Sequence, residues 1–339
     1  MSQTSKSAPN EVRVGIVGLG NLGSAVGNLA AANGYPVTGW EYNAEVVEEI
    51  NRQRTNTRYL PGVPLHERLS ATTDLAAMCR SAQVIFIALP SIFIERTLRP
   101  VVAQVDTQQT ILVNLAKGLD ARTGLTSFQT LSHLFPTHHR VMLSGPSIAN
   151  EFARGLPTVV VIAGEHQTDL MTVAQVLDND YFRVRFSDDA IGVELGGVLK
   201  NIYAIGLGLF DGQNITSVNF RAVYLTLAME EITRIGVALG AKIETFLYLS
   251  GIGDLLATSL SEHSHNRRMG ELLAAHLPLH EIEQQMGVLP EGHNTLKAML
   301  YIAEKMHVAM PLAKGLWDVI HARLSAEQFI SAFIRDFVE

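Results

Sequence analysis

Mostly apolar runs alternate with amphipathic segments through the first half of the chain. The longest such runs are residues 12–17, 82–89, 110–115 and 158–163. Continuous apolar runs of this length are typical of strands that are buried on both faces of a parallel sheet. Shorter runs at residues 36–41, 140–143 and 182–186 predict further strands. Because the intervening segments have helical character, the pattern predicts an α/β fold with helices on both faces of a parallel sheet.

The pattern changes near residue 188 and is helical from there to the C-terminus. Two long segments, residues 192–212 and 221–240, are rich in small apolar residues. No internal repeat and no low-complexity tract is visible in either half. The second half therefore predicts a separate, all-helical domain.

A glycine-rich turn follows the first predicted strand. Gly18, Gly20 and Gly23 form a G-x-G-x-x-G pattern between a strand and a helix-like segment, which is the setting that this motif requires. Gly18 allows the tight turn, Gly20 lets the backbone approach a pyrophosphate, and Gly23 lets the helix pack closely on the strand. The free N–H groups at the start of the helix are suited to binding the phosphates. The predicted organisation is a flexible tail (residues 1–10), a Rossmann-type dinucleotide-binding domain (11–188) and a helical substrate domain (189–339).

Composition and charge narrow the class of partner. The 339 residues are 47% hydrophobic and carry a formal net charge of −7, which argues against nucleic acid and against an anionic membrane surface. A small polar or phosphorylated substrate remains compatible with this charge. Cys79 is the only cysteine, so no internal disulfide can form. We expect no membrane span, no signal peptide and a cytoplasmic location.

Glu41 lies at the end of the second predicted strand, roughly twenty residues beyond the glycine turn, where a carboxylate accepts hydrogen bonds from the adenosine ribose. A carboxylate at this place repels a 2′-phosphate, and the neighbouring Tyr42 and Asn43 supply no positive charge. This favours NAD over NADP as the cofactor. The alternative is a solvated glutamate at a strand end.

Three further loops follow predicted strands, where ligands bind in open α/β sheets. Pro90 opens a helix beside the expected cofactor site, and Lys117 is a candidate to hold a substrate oxygen or phosphate. Gly145 and Ser147 lie in a turn that presents N–H groups and a hydroxyl to an anion. Each loop also has a structural interpretation, namely an ordinary turn, a surface lysine and a helix N-cap.

Lys200 lies in an almost wholly apolar helical segment of small residues. Burial of a lysine is costly and lowers its pKa, which makes the amine an effective general acid and base near neutral pH. The alternative is a lysine that extends to solvent from the edge of the helix. Glu194 lies six residues earlier, off the lysine's face, and is therefore not expected to be its partner.

A third group of polar residues occurs later in the helical half. Asp254, which follows a pair of glycines, is a candidate to orient Lys200 or a substrate hydroxyl, or else a helix cap. Asn266, Arg267 and Arg268 are candidates to bind a phosphate or carboxylate, or else form a solvated basic patch.

The histidines predict no metal site. His138 and His139 are adjacent in sequence, and His263 and His265 are two apart, so neither pair has the i, i+4 spacing of helical ligands. We therefore predict no metal ion.

Together these motifs resemble those of the NAD(P)-dependent glycerol-3-phosphate dehydrogenase family. The similarity runs from Val12 to about Arg323. Besides the glycine turn, it comprises Asn56 and residues 59–62, 117–119, 143–147, 155–158, 192–197, 199–201, 251–255, 266–268 and 291–292.

The resemblance implies a dinucleotide-binding domain followed by a helical domain of the 6-phosphogluconate dehydrogenase type, catalysis in the cleft between them, and a homodimer. It implies hydride transfer between a nicotinamide cofactor and sn-glycerol 3-phosphate or dihydroxyacetone phosphate, with Lys200 as proton donor and acceptor. The predicted catalytic residues are Lys200, Asp254, Lys117 and Asn201. The predicted substrate-binding residues are Lys117, Gly145, Ser147, Lys200, Asp254, Ser264, His265, Asn266 and Arg267. The predicted cofactor-binding residues are Gly18, Gly20, Asn21, Leu22, Gly23, Glu41, Pro90, Lys117, Ala149, His265, Leu289 and Glu291.

The chain departs from the family pattern at three places. Asn21-Leu22 replaces Ser-Trp in the glycine turn, and Tyr42 stands where a basic residue is frequent. His265 replaces the arginine of a Ser-Arg-Asn motif that usually binds the substrate phosphate. Histidine is only partly charged near neutral pH and lacks the bidentate fork of a guanidinium. Arg267 and Arg268 are candidates to compensate.

These departures leave two alternative functions. One is the same reductase chemistry on a different carbonyl or imine, which His265 suggests. The other is a non-catalytic NAD-sensing or scaffold protein. Retention of Lys117, Lys200 and Asp254 argues against the second alternative, since a protein without activity has no need for a costly buried lysine.

Overall fold

The computed structural model describes residues 12–106, 110–120, 123–261 and 264–336. The expected flexible tail, residues 1–10, lies outside this part of the chain. The described residues form two compact units. The first comprises those of Met1–Ala116, Phe128–Leu143 and Ser147–Asp188, and the second those of Lys117–Ser127, Ser144–Pro146 and Asp189–Glu339. Two short loops that the sequence analysis assigns to the first domain therefore fold with the helical one.

Strands and helices alternate along the first unit. Its strands are β1 (Val14–Val17), β2 (Val37–Trp40), β3 (Leu69–Thr72), β4 (Val84–Ile87), β5 (Ile111–Asn114), β6 (His139–Ser144), β7 (Thr158–Gly164) and β8 (Phe182–Ser187). Its helices are α1 (Asn21–Ala32), α2 (Ala44–Gln53), α3 (Leu75–Ser81), α4 (Ser91–Leu98), α5 (Ser127–Leu134), α6 (Ala149–Phe152) and α7 (Gln167–Leu177), with a 3₁₀ helix at Arg99–Gln104. Every residue of β1 and β4 is buried, as their continuous apolar sequences predict.

The strands form one sheet in the order β3-β2-β1-β4-β5-β6-β7-β8. The central strand β1 pairs in parallel with β2 on one side and β4 on the other, with Val14 opposite both Val37 and Val84. The chain thus passes from one half of the sheet to the other beside β1. Ligands of open α/β sheets bind at the carboxyl ends of the strands at such a switch point, and the glycine turn follows the carboxyl end of β1.

Strand β3 is absent from the sequence prediction. Its four residues, LSAT, contain only two apolar side chains, Leu69 and Ala71, which are the buried ones. Parallel pairing with β2 places this strand at the edge of the sheet. A run this short and this polar carries too little periodicity to be distinguished from a loop.

Helices account for nearly all regular structure in the second unit. They are α8 (Ala190–Gly212), α9 (Val218–Ala238), α10 (Ile243–Phe246), α11 (Asp254–Leu260), α12 (His265–Ala274), α13 (Leu279–Met286), α14 (Glu291–Lys305), α15 (Pro311–Ile320) and α16 (Ala326–Asp336), with a π-helical turn at Leu249–Gly253. Helix α8 lies at the centre, buried continuously from Gly192 to Phe210. Large aromatic side chains such as Tyr203, Tyr224 and Phe246 fill the core around it.

Helix α8 corrects one expectation. Its 23 residues are long and apolar enough to cross a membrane, whereas the sequence analysis found no such stretch. The apolar window of the helix is buried entirely within the protein. The same composition is expected of a central core helix, which is hydrophobic on all sides because it has neighbours on all sides.

Candidate active site

The glycine turn has the backbone geometry that its sequence predicts. Gly18 has φ +97°, a left-handed conformation that glycine adopts at little cost. A Cβ added to Gly23 would lie 1.9 Å from the carbonyl oxygen of Gly18, so only glycine allows α1 to approach the turn this closely. A Cβ on Gly20 would meet nothing within 4 Å. Helix α1 begins at Asn21 without a side-chain cap, which leaves its first N–H groups suited to an anion.

Hydrogen bonds made by side-chain amides tie the glycine turn to two other segments, residues 56–59 and α6. Asn56 donates from Nδ2 to the carbonyl oxygen of Leu19 at 2.8 Å. Asn21 donates from Nδ2 to the carbonyl oxygen of Tyr59 at 2.7 Å and to Oδ1 of Asn150 at 3.0 Å. The predicted cofactor residue Ala149 precedes Asn150, so α6 lies beside the start of α1. The sequence analysis missed the role of Asn150, for which no local signal exists.

Two other predicted cofactor residues of the first unit, Glu41 and Pro90, also lie beyond the carboxyl ends of parallel strands. Glu41 directly follows β2 and is only 4% exposed, and its Oε1 accepts a hydrogen bond from the Asn43 amide at 3.1 Å. It is therefore not the solvated glutamate of the alternative interpretation. Pro90 is the N-cap of α4, and a Cβ on Gly18 would lie 2.9 Å from the nearby carbonyl oxygen of Ala88.

Lys200 lies within the second unit, in the middle of α8, and its ammonium is buried beside the first turn of α11. Nζ of Lys200 donates to Oδ1 of Asp254 and to Oγ1 of Thr258, the latter at 2.6 Å. The pKa of Lys200 is lowered to about 8, chiefly by burial, with the attraction of Asp254 opposing the shift and the Lys117 charge adding to it. Lys200 therefore does not extend to solvent, and its amine exchanges a proton readily near neutral pH.

Asp254 joins Lys200 to a second amine. Its other oxygen, Oδ2, accepts from Nζ of Lys117 at 2.6 Å, and the same Nζ donates to the carbonyl oxygen of Gly145 at 2.9 Å. Asp254 is the first residue of α11 and its N-cap is Gly253, so the carboxylate does not cap the helix. Two ammonium groups share one carboxylate, which leaves a net positive charge suited to an anionic or polarised oxygen.

A chain of amide hydrogen bonds extends from Lys117 to the start of α14. Asn201 donates from Nδ2 to the carbonyl oxygen of Lys117 at 2.9 Å, and its Oδ1 accepts from Asn266 at 3.1 Å. Oδ1 of Asn266 in turn accepts from the Gly292 amide at 2.9 Å. Glu291 is the first residue of α14, two positions after Leu289. The predicted residues Asn201 and Asn266 thus belong to one bonded network, which ends at the residue after Glu291.

A close helix-to-loop contact brings these groups together. A Cβ on Gly197 would lie 2.3 Å from Oγ of Ser144 and 3.2 Å from Cδ of Lys117. Glycine at position 197 therefore lets the Ser144–Lys117 side of the site pack directly on α8. Among the described residues, the buried Oγ of Ser144 has no hydrogen-bond partner. Gly197 and Ser144 both lie in motifs of the family resemblance, but the contact between them was not predicted from the sequence.

Arg267 is bonded mainly to groups of the protein itself. Its Nε and Nη2 donate to Oδ2 of Asp211 at 2.9 and 2.7 Å, and its Nη1 donates to the carbonyl oxygens of Ser259 and Ser261. Four of the five guanidinium N–H groups are therefore used within the second unit, and Arg267 fixes the segment before α12. Arg268 is exposed and pairs with Glu271, one helical turn along α12.

The start of α12 presents the remaining predicted substrate residues. Ser264 is the N-cap and accepts from the Arg267 amide at 3.3 Å, while His265 is the exposed first residue of the helix. Ser147 is not a helix N-cap, because α6 begins at Ala149 with Ile148 as its N-cap and no side-chain cap.

Thr258 is a site residue that the sequence analysis missed although a signal existed. It lies four residues after Asp254, on the same face of α11, and its hydroxyl contacts the Lys200 amine. Glu194 accepts from Oγ1 of Thr126 at 2.6 Å, in keeping with the expectation that it is not the partner of Lys200.

Comparison with known proteins gives two family models that together match most of the chain. Residues 13–170 match the model described as NAD-dependent glycerol-3-phosphate dehydrogenase N-terminus, and residues 189–331 match its C-terminus.

Curated relatives and a solved structure carry the same description. A glycerol-3-phosphate dehydrogenase (NAD(P)+) of Carboxydothermus hydrogenoformans is 39% identical over 315 residues, which cover 92% of this chain and 93% of the relative. Another from Ectopseudomonas mendocina is 39% identical over 322 residues, covering 95% and 94%. The crystal structure of glycerol-3-phosphate dehydrogenase from Coxiella burnetii is 31% identical, with a TM-score of 0.89 and coverage of 95% and 98%.

Proposed function

The chain belongs to the NAD-dependent glycerol-3-phosphate dehydrogenase family, and on that premise we propose that it interconverts dihydroxyacetone phosphate and sn-glycerol 3-phosphate. In the reducing direction the ketone takes up a hydride at carbon and a proton at oxygen. The curated relatives are both described as glycerol-3-phosphate dehydrogenases, which favours this substrate over a different carbonyl or imine. The network of Lys117, Lys200 and Asp254 argues against a non-catalytic protein.

The observation that carries this proposal is the buried amine of Lys200. With a pKa of about 8, Nζ gives its proton to the forming alkoxide oxygen in the reducing direction and takes it back in the oxidising direction. Asp254 orients this amine through Oδ1, and the Thr258 hydroxyl fixes it from a second side. Lys117, held by the other oxygen of Asp254, contributes positive charge toward a substrate oxygen or phosphate.

The first unit fits a nicotinamide dinucleotide. Gly18 makes the left-handed turn, Gly20 leaves open space for a pyrophosphate, and the uncapped start of α1 offers N–H donors. Glu41 lies at the end of β2, where a ribose hydroxyl would bind. When bound, the dinucleotide supplies or accepts the hydride. The family is NAD(P)-dependent, and the proposed preference is for NAD, since the Glu41 carboxylate repels a 2′-phosphate and the adjacent Tyr42 offers no cation.

The direct test is oxidation of NADH by dihydroxyacetone phosphate with the purified full-length chain. Supporting results are turnover that yields sn-glycerol 3-phosphate and a kcat/KM for NADH at least about tenfold above that for NADPH. Unphosphorylated dihydroxyacetone, assayed in parallel, measures how far the phosphate is required. The proposal is contradicted if dihydroxyacetone phosphate is not turned over with either NADH or NADPH.

Two further properties are proposed with it. The family resemblance supports a homodimer, which light scattering of the purified chain tests against a monomer mass. The single cysteine supports a reducing, cytoplasmic location, which imaging of the full chain in its own cell tests.

A further inference from the structure

We propose that the first unit binds a divalent transition-metal ion at a surface site formed by His139, His166 and Asp169. Its residues are distinct from the predicted cofactor residues of the same unit. Each residue offers one ligand atom, and the three ligand atoms lie within 4.8 Å of one another. The three residues are called the histidine–aspartate cluster below.

Two adjacent elements bring the histidine–aspartate cluster together. His139 is the first residue of β6, His166 is the N-cap of α7, and Asp169 lies in the first turn of that helix. The end of β7, which leads into α7, lies against the start of β6, since a Cβ on Gly164 would be 2.8 Å from the carbonyl oxygen of Arg140. Residues about thirty positions apart in sequence thus meet, which is why neighbour spacing alone predicts no metal site.

The contacts within the cluster resemble a ligand set with one position to adjust. Nδ1 of His139 lies 2.8 Å from Oδ2 of Asp169, a hydrogen bond that has to lengthen by about half an ångström when both atoms bind one tetrahedral ion. Asp169 is buried, and its backbone amide donates to the carbonyl oxygen of His166 at 3.1 Å, which holds the two residues close together. The His139 and His166 rings are 4.9 Å apart between centroids.

The widest separation, up to 4.8 Å, exceeds the roughly 3.4 Å between ligands on a tetrahedral ion with bonds near 2.1 Å. One ring must therefore move inward by about an ångström. His166 is exposed and makes no cap hydrogen bond to α7, so a rotation of its side chain is inexpensive. A hydrogen bond between His139 and Asp169 alone gives no reason for the second imidazole beside them.

The donor types select the class of ion. Two imidazole nitrogens and one carboxylate oxygen suit Zn²⁺, Ni²⁺, Co²⁺ or Cu²⁺, whereas Mg²⁺ and Ca²⁺ prefer all-oxygen sites. Three protein ligands leave at least one position for water.

The position of the cluster separates it from the cofactor edge of the same unit. His139 pairs with Ile111, Ile111 with Val84, and Val84 with Val14, which are the first residues of four parallel strands. The glycine turn follows the last residue of β1, at the carboxyl ends of these strands and thus opposite to the cluster. A bound ion therefore joins β6 to α7 and does not take part in hydride transfer.

Zn²⁺ binding to the untagged full-length chain tests this proposal by titration calorimetry at neutral pH. The expected result is one ion per chain with a dissociation constant of about micromolar or lower. The exposed-residue variant His166→Ala should weaken this binding at least about tenfold, and so should Asp169→Asn. The control variant His280→Ala changes an exposed histidine of α13 and should bind as the unaltered chain does.

Thermal unfolding gives an independent readout, since Zn²⁺ should raise the Tm of the unaltered chain and of His280→Ala but not that of His166→Ala. Because His166 is exposed, its replacement should leave the metal-free Tm and the turnover unchanged. Equal Zn²⁺ affinity of His166→Ala and the unaltered chain overturns the proposal, as does the absence of binding at one ion per chain.

Discussion

Asp254 holds the buried amine of Lys200 with one carboxylate oxygen while the other oxygen holds Lys117 at 2.6 Å. One carboxylate thus fixes two amines that lie more than eighty positions apart in sequence. Burial lowers the pKa of Lys200, and the hydrogen bond to the shared carboxylate holds the amine in position.

Replacement of the proton-transferring amine should abolish turnover without loss of the fold. Lys200→Met removes the only group at this position that can exchange a proton, so kcat should fall by about 10²–10⁴-fold. Cofactor binding, measured by quenching of protein fluorescence, should persist because the glycine turn belongs to the other unit. The matched control Lys314→Met alters an exposed lysine of α15 and should keep normal turnover. Near-normal turnover of Lys200→Met contradicts the assignment.

The two reaction directions should depend on pH in opposite senses. Ketone reduction needs the protonated amine, so its kcat/KM should decline as pH rises through about 8, the pKa of Lys200. Alcohol oxidation needs the neutral amine and should increase through the same pH range. In Lys117→Gln the neighbouring positive charge that lowers this pKa is gone, so both profiles should move to higher pH. Profiles that are flat from pH 7 to 9 would be inconsistent with this role.

Gly197→Ala should damage the site because the new methyl group would overlap Oγ of Ser144 at 2.3 Å. We expect the free energy of unfolding to drop by about 1–3 kcal/mol and KM for the substrate to rise. Gly253→Ala is the matched control, since its Cβ would meet its nearest neighbour at an ordinary 3.6 Å. Chemical denaturation and steady-state kinetics of both variants give the comparison. Equal behaviour of the two would show that the contact on α8 is unimportant.

Arg267→Lys should lower stability more than substrate affinity. Lysine keeps the charge but cannot bridge Asp211 and two carbonyl oxygens as the guanidinium does, so unfolding should become easier by about 1–3 kcal/mol. KM for dihydroxyacetone phosphate should change less than about threefold. A large increase in KM at unchanged Tm would instead make Arg267 a substrate contact, as the sequence analysis first assigned it.

Most strands, the glycine turn and the two site lysines, Lys117 and Lys200, were predicted from the sequence, because each of these features has a local sequence pattern. Strand β3 left none, since LSAT owes its strand conformation to pairing with β2. The partner of Arg267 was also unpredictable, because Asp211 lies 56 positions away and only the packing of α12 on α8 brings them together. Thr258 was within reach of the sequence, as its spacing from Asp254 is that of one helical turn.

The short loop that carries Lys117 folds with the helical unit although it follows a strand of the sheet. A gene divided at codon 188 would therefore yield a C-terminal fragment with Asp254 paired to a single amine and without the Gly145 carbonyl. In such a fragment Oδ2 of Asp254 would lack the donor that Lys117 supplies. Any attempt to swap or graft the catalytic half onto another nucleotide-binding scaffold has to transplant residues 117–127 and 144–146 along with it.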